Sequence, residues 1–148
     1  MIDRRSLMGA GLGLGASALL PGGAQAAQLG AIGLQLYTIR ELFAADPVKT
    51  LEAVAKIGYR EVEYGGGGYD AMDHAMLRRT QDRLGLKAPS IHVPYDSLLG
   101  KFDACVTMAK TLGADTVVLP YMTDEHRTEA GWNAALPNIN RFAAQLKK

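Results

Sequence analysis

Only one cysteine, Cys105, occurs in the chain, which excludes an intrachain disulfide and any metal site built from cysteine thiolates. It falls on the apolar face of a predicted helix and reads as a small buried hydrophobe rather than a reactive thiol. An excess of one charge is missing too: 16 basic and 15 acidic side chains give +1, and setting aside Arg4, Arg5 and Asp3 near the N-terminus leaves the signs equal. A neutral surface gives no electrostatic reason to expect nucleic acid or anionic lipid as a partner. Disorder is not indicated, because 48% hydrophobic and 21% charged side chains over 148 residues is the make-up of one ordinary globular domain.

A long hydrophobic run is also lacking. The apolar stretch within "DRRSLMGAGLGLGASALLPGGAQA", residues 3–26, is short, rich in glycine and interrupted by Pro21. That suits a cleaved export signal better than a membrane anchor. It has a charged start, a mildly apolar middle and a small-x-small end at Ala24-Gln25-Ala26. Arg4-Arg5 followed by Ser6, Leu7 and Met8 resembles a twin-arginine signal, with Asp3 and Leu7 departing from its usual residues. The resemblance implies export to the periplasm, cleavage after Ala26, a working domain over residues 27–148 and no stable membrane anchor. "GAGLGLG" lacks the GxGxxG spacing and has no strand before it, so it is not read as a nucleotide loop.

From Ile32 onward strand-like and helix-like stretches alternate. The expected strands are Ile32–Ile39, Tyr59–Tyr64, Lys87–Tyr95 and Asp115–Met122. The expected helices begin at Asp46-Pro47, near Asp70, around Phe102 and at Glu129, the last running to Lys148 with a kink or restart at Pro137. In that last helix Ile139, Phe142 and Leu146 share one predicted face. Gly58, Gly85 and Gly113 close the first three helices at spacings of 27 and 28 residues, each followed within about three residues by a strand. Such alternation predicts a parallel sheet with right-handed crossovers. On this reading the sequence ends where a fifth strand is expected.

"IGLQLYTIRE", "KIGYREVEYGG" and "SIHVPYDSL" resemble the first three strand ends of the sugar phosphate isomerase/epimerase family, which has the xylose isomerase-like TIM barrel. The resemblance covers residues 33–148 and implies an α/β fold of parallel βα units, about four of the eight in a complete barrel of about 250 residues. It implies a sugar or cyclitol as the small-molecule substrate, and proton transfer next to a carbonyl assisted by a divalent metal. The family's metal ligands, two Glu, one Asp and one His, come from later strands, so this chain is expected to hold no metal confidently and to be inactive alone. A homodimer or a missing C-terminal half is the expected partner. The alternative is a non-catalytic half barrel that binds a sugar or pairs with a second polypeptide, because open sheet edges demand a partner. Apurinic endonucleases share the barrel, but a second histidine belongs where this chain has Leu119-Pro120.

A βα barrel gathers its site at the C-terminal strand ends. Those positions hold Tyr37 and Arg40, Glu63 and Tyr64, His92 and Tyr95, and Tyr121. His92, Glu63, Tyr37, Arg40 and Tyr121 are the candidate substrate-binding residues, with no catalytic residue assigned. His92 leads, since "HVPY" resembles a strand 3 motif whose histidine faces the site, and an imidazole can bind a hydroxyl or a metal near neutral pH. The competing reading is a structural rim histidine, as a solvated carboxylate competes at Glu63. "YGGGGYD", Tyr64–Asp70, is read as a flexible loop in preference to a backbone cradle for phosphate or sugar. Asp70, Asp73 and His74 are read as a helix start rather than a metal cluster, and His126 as surface.

Overall fold

The computed structural model describes residues 30–147. Within them four strands, β1 (Gly33–Gln35), β2 (Glu61–Tyr64), β3 (Lys87–His92) and β4 (Thr116–Val118), form one sheet. All pairings are parallel and the spatial order is the chain order, β1-β2-β3-β4. Between β1 and β2 run α1 (Arg40–Ala45) and α2 (Pro47–Ile57); between β2 and β3, a 3-10 turn (Tyr69–Ala71) and α3 (His74–Leu84). The pair α4 (Tyr95–Gly100) and α5 (Phe102–Leu112) links β3 to β4, after which come a 3-10 turn (Asp124–Arg127) and α6 (Glu129–Leu146). The expected α/β class with an all-parallel sheet is therefore present. The export signal expected over residues 3–26 lies outside the described residues, and among the described ones no helix is long and apolar enough to cross a membrane.

Local chemistry sets the helix bounds. Asp46 caps α2, its carboxylate accepting from the Lys49 amide at 3.0 Å, and Pro47 takes the first helical position where its missing N–H costs nothing. Asp73 caps α3 in the same way, accepting from Met76 at 2.9 Å. Gly58, Gly85 and Gly113 end α2, α3 and α5 in the left-handed conformation, as the spacing predicts.

The strands are shorter than expected because the chain turns as soon as its ladder ends. After Gln35 it tightens into a 3-10 turn, Leu36–Ile39, and then α1, a helix the sequence reading did not anticipate. Likewise β3 stops at His92, and Tyr95 opens α4 instead of ending a strand. The helix expected from Asp70 begins at His74, and α6 runs through Pro137 as one helix rather than restarting there. Leu146 proves exposed, whereas Ala135 and Phe142 carry the buried face of α6.

The pleat separates two chemistries. Leu34, Val62, Tyr64, Ile91 and Val117 alternate onto the face that meets the helices, against Leu51, Val54, Leu77, Cys105, Met108 and Leu112. Burial of each fully buried aliphatic side chain among them stabilises the fold by about 1.5–3 kcal/mol, and the partly buried Leu34 and Val117 contribute less. Cys105 lies in this core, where burial pushes its thiol pKa up. The opposite face carries Gln35, Glu63, Ser90 and His92. One irregularity keeps that separation: the register slips between Glu61↔Lys87 and Glu63↔Ser90, so β3 carries one extra residue beside Pro89, which has no N–H to give the ladder. The slip lets Ala88 and Ile91 both face the core.

Candidate functional site

Three neighbouring strands deliver one polar cluster at their C-terminal ends. Gln35 of β1 pairs in register with Glu63 of β2, and Glu63 with Ser90 of β3, while His92 lies two residues beyond Ser90 on the same face. The Gln35 amide donates to Glu63 Oε1 at 2.6 Å, and the Ser90 hydroxyl donates to Glu63 Oε2. His92 Nε2 lies 3.0 Å from Glu63 Oε1. A ring nitrogen that close to a carboxylate oxygen carries the proton and donates it. The 3.2 Å approach of Gln35 Nε2 to His92 Nε2 is then the meeting of two donors on one acceptor, not a bond between them. His92 Nδ1 makes no hydrogen bond among the described residues, and in the neutral ring it is the acceptor.

Partial burial raises the Glu63 carboxyl pKa, but the hydrogen bonds from Ser90 and Gln35 and the adjacent His92 outweigh it and hold the group below its ordinary value. Glu63 is thus an anion at neutral pH, with both oxygens engaged. His92 is fixed from its other side as well. The buried Tyr69 hydroxyl donates to the His92 carbonyl, and burial pushes that phenol's pKa up, so it stays a donor.

The glycine loop is shaped by this packing. Gly65 lies against the imidazole, where an added Cβ would sit 3.0 Å from Nδ1. Gly66, Gly67 and Gly68 follow with φ of 71°, 68° and 71°, a run of left-handed residues that only glycine adopts cheaply. A Cβ on Gly66 would meet the Tyr37 ring at 2.7 Å. The loop is a closely fitted turn in which Gly65, Gly66 and Gly67 serve close approach, while Gly68 meets nothing within 4 Å and serves the left-handed backbone alone.

A cleft of about 390 Å³ opens beside the cluster, lined by Gln35, Tyr37, Gly66, Asp70, His92, Pro94, Pro120 and Tyr121. Of the residues singled out from sequence, Tyr37, His92 and Tyr121 line it directly. Glu63 stands behind His92. Arg40 lies outside, stacked over Tyr37 at 4.7 Å and donating to its carbonyl at 3.2 Å, so it braces a wall. Two other strand-end positions are not site residues. Tyr64 is fully buried on the helix face, its hydroxyl donating to Gln81 at 3.1 Å. Tyr95 is buried in α4, accepting from Asn138 at 3.0 Å. His126 is half-buried rather than simply on the surface, packed edge-on against Tyr95.

Sequence reading missed Gln35, Ser90 and Asp70 as contributors. The alternation Gln35-x-Tyr37 and Ser90-x-His92 could have revealed the first two, since residues two apart share a strand face. Of the three residues expected at a helix start, Asp73 and His74 do open α3, while Asp70 lies one turn earlier and lines the cleft. As a metal centre the cluster does not fit: Glu63 spends both oxygens on protein donors, and no group of three His, Cys, Asp or Glu among the described residues could hold an ion. No protein-family model and no curated protein matches the chain.

Proposed function

We propose that this chain is an exported sugar phosphate isomerase/epimerase-like protein whose strands are four consecutive βα units of a xylose isomerase-like barrel, binding a sugar or cyclitol at their C-terminal ends. The observation that carries the reading is the coincidence of two features. Strands in strictly sequential parallel order are the arrangement of consecutive barrel staves, whereas a doubly wound sheet reverses direction. The polar cluster occupies the strand ends that such a barrel uses for chemistry.

The cluster suits a polyol. An anionic carboxylate behind an imidazole, with aromatic walls at Tyr37 and Tyr121, offers directed donors and acceptors together with flat apolar faces. His92 presents Nδ1 as an acceptor for a hydroxyl, and Glu63 keeps the ring oriented. Proton transfer next to a carbonyl is the parent reaction of the family, and the divalent metal that assists it finds no fitting site among the described residues. This chain by itself is therefore proposed to bind without turning substrate over. Calorimetric titration with D-glucose and myo-inositol tests the reading: saturable binding that His92→Ala abolishes supports it, and binding indifferent to His92 refutes it.

A second reading, a non-catalytic half barrel that pairs with another polypeptide, is favoured by β1 and β4, each of which has a strand neighbour on one side only among the described residues. Light scattering after size-exclusion chromatography separates the two, since a well-folded monomer counts against pairing.

A further inference from the structure

Tyr121 belongs to two cavities. Besides the cleft at His92, it walls a groove of about 570 Å³ shared with Met122, His126, Arg127 and Trp132. The cleft and the groove thus have Tyr121 as a common wall. The groove is built, not incidental. Thr128 caps α6, accepting from the Gly131 amide at 3.0 Å, and because Gly131 has no Cβ the 3-10 turn Asp124–Arg127 seats close on the helix. A Cβ there would lie 2.8 Å from the His126 Cα. The His126 ring is fixed by Thr123, 2.8 Å from its Nδ1, and by its edge contact with Tyr95 at 4.8 Å.

Two large rings stay in water beside this braced frame, Trp132 on α6 at 45% exposure and Tyr121 in the segment after β4 at 61%. Aromatic side chains, with only two rotatable bonds, supply contact area beside a binding cleft at little entropic cost. The one guanidinium, Arg127, is balanced by Asp124 at 3.4 Å, with Glu125 adjacent in the chain, so the groove has no surplus positive charge to select an anion.

We infer that the site takes a glycoside in preference to a free monosaccharide: the sugar sits at His92, and a neutral second ring with a flat apolar face occupies the groove between Tyr121 and Trp132. An aromatic aglycone or a second sugar ring supplies that face. This rests on the reading of the cleft as a polyol site.

Trp132 is the only tryptophan in the chain, so its fluorescence reports on the groove alone. Matched methyl and phenyl β-D-glycosides of glucose, galactose and xylose are titrated into the chain, following Trp132 emission and, independently, saturation-transfer NMR. At least one phenyl glycoside is expected to bind tenfold or more tightly than its methyl partner and to change the emission. Trp132→Ala brings the phenyl affinity down to the methyl value without altering methyl binding, and Trp132→Phe retains most of the preference. Cellobiose binding as tightly as the phenyl glucoside identifies a second sugar as the natural ring; a phenyl preference alone identifies an aromatic aglycone. Equal binding of the methyl and phenyl members with unmoved emission overturns the glycoside inference and leaves the polyol site standing. Binding of phenol as tight as that of the phenyl glycosides also overturns it, as does binding of D-glucose or myo-inositol with no glycoside bound; failure of the free polyols and the glycosides alike overturns both readings.

Discussion

Replacing Glu63 with glutamine removes one charge and almost no volume, and so isolates what the carboxylate does at the strand ends. In the native cluster it takes donors from Gln35 at 2.6 Å, from His92 at 3.0 Å and from Ser90. Hydrogen bonds to a charged acceptor contribute about 1.5–3 kcal/mol each and neutral ones about 0.5–1.5 kcal/mol. Glutamine keeps one acceptor oxygen and turns an amide N–H toward a former donor. Because the Glu63 side chain is 25% exposed, water compensates in part, and the net loss is expected to be about 1–2 kcal/mol at pH 7. For a domain of this size that lowers the urea midpoint by roughly 0.5–1 M, read by far-UV circular dichroism. The pH dependence is the sharper test. The folded-state pKa of Glu63 lies below its reference value of 4.5. Its contribution is therefore fully present above 4.5 and is lost as pH falls through the folded value. The stability gap between wild type and Glu63→Gln should be widest near neutrality and close under acid. A gap that stays constant with pH, or no gap at pH 7, would refute the charge-centred description of the cluster.

Gly65→Ala puts a Cβ 3.0 Å from His92 Nδ1; it is expected to displace the imidazole and weaken polyol binding at least fivefold, with a stability loss no larger than that of Glu63→Gln, measured by calorimetry and urea unfolding. Leu77→Ala empties a fully buried position between α3 and the sheet and should cost about 2–5 kcal/mol in urea unfolding; a cost under 1 kcal/mol would mean that the helix layer is not packed as described. Cys105 is buried, and burial raises its thiol pKa, so a disulfide-exchange reagent should modify it slowly in the native protein and rapidly in denaturant. Equal rates would contradict its place in the core.

Helix stops were the most legible part of the sequence. A left-handed glycine has a local cause, and Gly58, Gly85 and Gly113 needed no tertiary information to be placed. Strand lengths were less legible, because the apolar character of Leu36-Tyr37-Thr38-Ile39 suits a strand and a packed turn equally. Only the contact of that turn with β2 and the glycine loop selects the turn. The slip beside Pro89 was invisible for a related reason: a bulge depends on what the neighbouring strand offers. In the site, His92 and Glu63 stood out by chemical type. Gln35 and Ser90 did not, since neutral polar residues gain significance only from the carboxylate that the register brings beside them. Tyr64 and Tyr95, at strand ends but outside the candidate set, show the limit of the position alone, because a tyrosine there looks the same from sequence whether its hydroxyl meets a ligand or a buried amide.

The chain has three histidines, His74, His92 and His126, so nitrogen-detected NMR of the imidazoles can follow each one. His74 is anchored on the Tyr69 carbonyl at 3.0 Å and His126 on Thr123 at 2.8 Å, and neither belongs to the strand-end cluster of Gln35, Glu63, Ser90 and His92 proposed to anchor a polyol. Titration with a bound polyol should shift the Nδ1 resonance of His92, hold its proton on Nε2 and leave His74 unmoved, with any change at His126 confined to ligands that carry a second ring. Saturating polyol that leaves His92 unperturbed would contradict the claim that these strand ends form a polyol site.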